Sequence, residues 1–125
     1  MQRTTTTRDW GSQKQPPSGY VLVMLRRGEN DSDYRLYAAA HTAFIEGLIK
    51  QNRILLGGRF ATRADDVEAA YVLRAGNVDE ARTIAEADPF ATAGVCRPEC
   101  RRWKLIGINP DAVDEALVVR PNDIA

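Results

Sequence analysis

ILLGGRFATRADDVEAAYVLRA, residues 54–75, decides the fold. It holds two β-type runs, Ile54–Phe60 and Ala69–Ala75, on either side of the polar segment Thr62–Glu68. No helical period fits between them, so the two runs form a hairpin in the middle of the chain. Gly57-Gly58 weakens the first run unless a bulge or a close backbone approach is made there.

Working outward, each half of the hairpin has a helix and a further strand beyond it. On the N-terminal side, Tyr20–Arg26 (YVLVMLR) is dense in β-formers with little alternation, the pattern of a central strand. The turn cluster Gly28–Ser32 follows, and Ser32 or Asp33 is placed to cap a helix from Tyr34 to Gln51. Leu36, Ala40, Phe44 and Leu48 repeat every four residues, with Ala43 and Gly47 beside them, and form its expected inner face. On the C-terminal side, Gly76-Asn77 is a turn and Asn77 an N-cap, with Asp79 and Glu80 in the favourable first turn of a helix from Val78 to Ala87. Ala81, Ile84 and Ala85 are its apolar face, and Pro89 stops it. Val95–Ile106 is the last strand, and Pro98 assigns it to a sheet edge, because proline removes a ladder donor.

The resulting order, β-α-β-β-α-β, with right-handed crossovers, is an α+β, ferredoxin-like split β-α-β arrangement. Its four-stranded antiparallel sheet has the order 4-1-3-2, with both helices on one face. The helices run antiparallel, so the start of the first lies near the end of the second. This brings His41, the single histidine, towards Asp88, which is 47 positions later. The other sheet face has no helix to cover it. Strand 4 presents to that face either Val95, Arg97, Glu99, Arg101 and Trp103 or Cys96, Pro98 and Cys100. An uncovered face on so small a domain predicts a homodimer packed sheet to sheet.

The chain has 125 residues with 17 basic and 17 acidic side chains, and 44% of it is hydrophobic. That suffices for one domain and its core. Zero formal charge and the absence of a basic-aromatic run argue against nucleic-acid binding, although Tyr20 and Tyr71 lie on central strands. No apolar run is long enough to span a bilayer, and MQRTTTTRDW lacks an apolar signal core, so the expected compartment is the cytoplasm. Residues 1–19, rich in Thr, Gln, Ser and Pro, are expected to form a flexible arm, with Trp10 exposed, casually packed, or docked on a partner subunit. Residues 107–125 form a C-terminal extension with a short helical candidate at Asp111–Ala116 and an added strand at Leu117–Val119. The 14 Arg are scattered rather than clustered. Cys96 and Cys100 have no zinc-site spacing and are expected to be reduced. A metal held by His41, Cys96 and Cys100 lacks a fourth ligand, so no metal is expected.

Three stretches resemble the YCII-related family of the dimeric α/β-barrel superfamily. They are His41-Thr42-Ala43-Phe44 with Ile54–Gly58; Tyr71–Ala75 leading into Asp79–Arg82; and Ala85–Phe90 followed by Ala93-Gly94-Val95, Arg101 and Trp103. The resemblance spans residues 20–106. It implies a ferredoxin-like dimer and an active site on a His and an Asp, roles that fall on His41 and Asp88. Cys96, Pro98 and Cys100 depart from the family's large apolar strand residues. The Thr62–Glu68 loop departs from its short glycine turns, and both terminal extensions exceed its usual length.

A carboxylate beside an imidazole fixes the tautomer and orients the ring, and the pair can move a proton near neutral pH. No Ser or Cys completes a nucleophilic arrangement, so no covalent intermediate is indicated. The expected function is a small-molecule lyase or isomerase without a cofactor. The alternatives are a non-catalytic ligand-binding or sensor module on the same scaffold and a cofactor-free monooxygenase. Spacing alone leaves His41 open as a structural or exposed histidine and Asp88 as a helix stop. Gly58 and Arg59 are candidates for backbone approach and anion recognition, or a bulge and a solvated Arg. Phe90 and Gly94 are candidate pocket walls, or packing and turn residues.

Overall fold

The structure, a computed structural model, describes residues 18–119. Trp10 and most of the expected N-terminal arm lie outside the described residues. The strands are β1 (Gly19–Arg27), β2 (Ile54–Arg59), β3 (Val67–Ala75) and β4 (Cys96–Trp103). The helices are α1 (Tyr34–Lys50), α2 (Val78–Glu86) and the single turn α3 (Pro89–Thr92). One antiparallel sheet runs β2-β3-β1-β4, which is the ferredoxin-like order, with Pro98 on an edge strand opposite Leu25.

One face of the sheet is a packed core. Val21, Val23 and Leu25 of β1 alternate inward with Tyr71, Leu73 and Ala75 of β3 and Cys96 of β4. Ala81 and Ala85 of α2 are fully buried against them. Two methyl-sized side chains four residues apart let this helix sit close to the strands. Its start is capped as expected: the Asn77 side chain accepts from the Glu80 N–H at 2.7 Å. On β4 the Cys96–Cys100 side faces the helices, and Arg97, Glu99, Arg101 and Trp103 take the open face.

The structure corrects several local expectations. The inner stripe of α1 is His41, Phe44, Ile45 and Leu48, so the expected face holds at Phe44 and Leu48 and fails at its start: Leu36 is 75% exposed, and Ala40 and Ala43 face solvent. A repeat of four drifts around a helix of about 3.6 residues per turn, so Leu36 and Leu48 cannot share a face across three repeats. Asp33 stands at the N-cap of α1 without a side-chain cap bond, and a 3-10 turn, Asp31–Asp33, leads into the helix. Val67 and Glu68 belong to β3 rather than to a loop. The segment before them is held by charge. Arg26 and Arg97 pair with Asp66, and Arg27 and Arg63 pair with Glu68. Beyond Trp103 there is no further strand or helix among the described residues. The extension forms two 3-10 turns, Pro110–Ala112 and Glu115–Leu117, each opened by an Asx cap, Asn109 or Asp114. Asx caps favour turns over extended pairing, and Leu117–Val119 stays exposed.

Gly57 and Gly94 have definite roles. A methyl group at Gly57 would come within 2.6 Å of the Tyr71 Cβ across the β2–β3 ladder. The close approach is therefore at Gly57, and the register irregularity falls earlier, between Ile54 and Leu56. Gly94 has φ +76°, a left-handed conformation that turns α3 into β4.

Candidate active site

The site is built where α2 gives way to α3. Pro89 does more than stop a helix. It is the first residue of α3, and Asp88, held extended before it, is the N-cap. The Asp88 Oδ1 accepts from the Phe90 N–H at 2.8 Å. The carboxyl group is completely buried. An ionised group taken out of water costs several kcal/mol unless it is paired and hydrogen-bonded.

Its partner comes from α1. His41 lies two turns into that helix, and its Nδ1 is 2.9 Å from Oδ1 and 2.8 Å from Oδ2 of Asp88. A carboxylate only accepts, so Nδ1 carries the proton. In the neutral ring this leaves Nε2 unprotonated and basic. The ring is fixed a second time by Phe90, which stacks on it with centroids 4.1 Å apart and planes 10° from parallel. His41 keeps 20% side-chain exposure over an Asp88 that has none, so the imidazole is the member of the pair that reaches outward.

Two more polar side chains feel the Asp88 charge. Burial and that carboxylate push the Cys96 thiol up to about 12, so Cys96 is a neutral thiol and not a nucleophile at ordinary pH. The same two causes raise the Tyr71 phenol well above its usual range. The Tyr71 hydroxyl is buried and has no hydrogen-bond partner among the described residues. Sequence reasoning missed Tyr71 here. The available signal was parity: in AAYVLRA it shares the inward face with Leu73 and Ala75, and a hydroxyl there needs a partner.

The remaining candidates fall elsewhere. Gly94 is a turn residue whose carbonyl accepts from the Asn30 N–H at 2.9 Å, so it ties the β1–α1 connection to the end of α3. Gly58 and Arg59 line a groove of about 310 Å³ with Leu22, Leu56, Val72 and Trp103, which does not include His41 or Asp88. That groove belongs to the open sheet face. Among the described residues no three His, Cys, Asp or Glu side chains come together as a metal-binding group.

A two-layer ferredoxin-like domain with a buried Asp88 paired to a partly exposed His41 at the helix junction defines a structural class. Residues 20–104 match the YCII-related domain, and the chain belongs to that family. It is 28% identical over 86 residues to protein YjpA of Bacillus subtilis (strain 168), covering 69% of this chain and 94% of that one. Among solved structures it is similar to 5-chloro-2-hydroxyhydroquinone dehydrochlorinase (TftG) from Burkholderia phenoliruptrix AC1100, in complex with 2,5-dihydroxybenzoquinone. The TM-score is 0.53 at 27% identity, covering 67% of this chain and 93% of that chain. Among the described residues no helix is long and apolar enough to cross a membrane.

Proposed function

We propose that this protein is a small-molecule lyase that removes a proton and a leaving group from a small oxygenated molecule, with His41 as the acid/base and Asp88 as its anchor. The observation that carries this reading is the pairing of His41 Nδ1 with a fully buried carboxylate, which leaves Nε2 as the free base. The likeness to a dehydrochlorinase supports elimination over isomerisation and oxygenation.

In this mechanism His41 Nε2 takes a proton from the substrate. The electron pair left behind forms the new π bond, and the leaving group departs with its bonding pair. The imidazolium then returns its proton to the leaving group or to water. Asp88 holds the ring through both steps without forming a bond to substrate. General acid/base catalysis of this kind contributes about 10²–10⁴-fold.

The active form is a homodimer in this reading. Leu56, 63% exposed, together with Phe60 and Trp103 lies on a sheet face that no helix covers, and a second copy of that face would cover it.

The test is chloride release from 5-chloro-2-hydroxyhydroquinone and related chlorinated hydroquinones. Wild-type protein should release chloride. His41→Ala should lower the rate by about 10²–10⁴-fold with circular dichroism and thermal midpoint retained. Binding of these compounds by wild-type protein without turnover would replace the lyase with a binding module. A His41→Ala variant as active as wild type would remove the imidazole from the chemistry.

A further inference from the structure

The Tyr71 hydroxyl is a polar atom that no described residue bonds and the proposed proton transfer does not use. Tyr71 is 4% exposed, and its Oη is buried with no hydrogen-bond partner among the described residues. Buried polar groups in folded proteins are bonded, and an exception calls for a bound water, ion or ligand as its explanation. Phenylalanine would fill the same space without leaving a donor unpaired. The oxygens of Asp88 are engaged by His41 and the Phe90 N–H, and neither is within bonding distance of Oη.

Its placement points to the same site. Tyr71 is on the helix-facing side of β3, in the cluster against which Phe90 and Ile45 pack. Phe90 is the residue that stacks on His41. On the neighbouring strand, Gly57 leaves the base of the ring unobstructed, since any side chain there would collide with the Tyr71 Cβ. Burial and the Asp88 charge both keep the phenol protonated, so at neutral pH it is a donor.

We propose that the Tyr71 hydroxyl is the ligand-orienting donor of the His41–Asp88 site, holding a carbonyl, enol or phenol oxygen of the bound molecule. The proposal rests on the proton-transfer reading above and narrows its substrate class. The oxygen held by Tyr71 is conjugated to the position that loses the proton to His41. Negative charge that gathers on this oxygen is met by a preorganised donor. Simple aliphatic substrates without such an oxygen are excluded.

The test is Tyr71→Phe in the full chain, with 2,5-dihydroxybenzoquinone as the binding probe followed by calorimetry. The ligand-free variant should melt at a higher temperature than wild type, because an unpaired buried hydroxyl has been removed. Its Kd for the quinone should rise by about tenfold, the loss of one good hydrogen bond. A lowered melting temperature would show that the hydroxyl is bonded within the fold and would overturn the proposal. A raised melting temperature with an unchanged Kd would also overturn it. Failure of wild-type protein to bind the quinone overturns the substrate class and the lyase reading together. Wild-type binding and turnover that His41→Ala abolishes, with Tyr71→Phe binding like wild type, overturns the role of Tyr71 alone.

Discussion

The two faces of the sheet are made from the same strands and end in opposite states. The helix-covered face is complete within one chain. Leu73, Val21 and Val23 are sealed, Ala81 and Ala85 bring α2 close, and Asp88, the single buried charge among the described residues, has found His41. On the open face Val72 is buried but Leu56, Phe60 and Trp103 stay exposed around a groove, and its polar end is an ion-pair network of Arg26, Arg97, Asp66 and Glu99. One face therefore carries the stability and the proposed chemistry of the protomer, while the other presents a surface. In an antiparallel sheet the alternation of side chains assigns each strand residue to one task or the other.

The contrast is sharpest under large-to-small substitution. Leu73→Ala, on the covered face, should cost about 2–5 kcal/mol in chemical denaturation, independent of protein concentration. A cost near zero would mean that this core is not closely packed. Asp88→Ala should come next. It removes the cap of α3 and the anchor of His41, at about 1–3 kcal/mol. Asp88→Asn should recover part of this because its side-chain oxygen still accepts from the Phe90 N–H. If Asn and Ala lower the melting temperature equally, capping is not what Asp88 contributes.

Alkaline pH probes the same face more gently. The folded state holds the Cys96 proton up to about 12, whereas the unfolded chain gives it up from its ordinary value of 9.0. The folded protein therefore binds more protons above pH 9, and stability must fall as pH rises through that window. Cys96→Ala should flatten this decline in denaturation curves at pH 9 and above. Native Cys96 should resist thiol reagents at pH 8 and react once the chain is unfolded. The smallest effect on the protomer belongs to the open face. Leu56→Ser should change its intrinsic stability by within about 0.5 kcal/mol. It should nevertheless weaken the proposed self-association, so that the mass measured by light scattering falls on dilution at concentrations where that of wild type does not. A variant that associates like wild type would remove the open face as the proposed dimer interface.

Much of this was legible locally. The β-dense Tyr20–Arg26 run reads as central and is central. Pro98 marks an edge because a missing N–H is tolerated only there. Asn77 caps α2 with an ordinary Asx geometry that needs only neighbouring residues. The face of α1 was legible only in its second half, at Phe44 and Leu48. A period-four stripe competed with a period-3.6 helix, and packing selected His41, Phe44, Ile45 and Leu48 while leaving Leu36 in solvent. Asp88 before Pro89 has the same sequence signature as an ordinary helix stop. Its use as the cap of a new turn and as a buried acceptor depends on α1 crossing above it. Tyr71 is a similar case. Parity shows which way it points, but whether its hydroxyl finds a partner depends on groups from elements distant in sequence.

The sequence by itself determined the order of strands and helices, the hairpin at residues 54–75 and hence the sheet topology. These follow from hydrophobic period, turn chemistry and proline sterics, which act within a few residues. Only the tertiary structure decided which side of α1 turns inward, that Asp88 is sealed beneath His41, and that the Tyr71 hydroxyl is left without a partner among the described residues. Burial and hydrogen-bond partnership are properties of packed surfaces from distant segments, and no local pattern carries them.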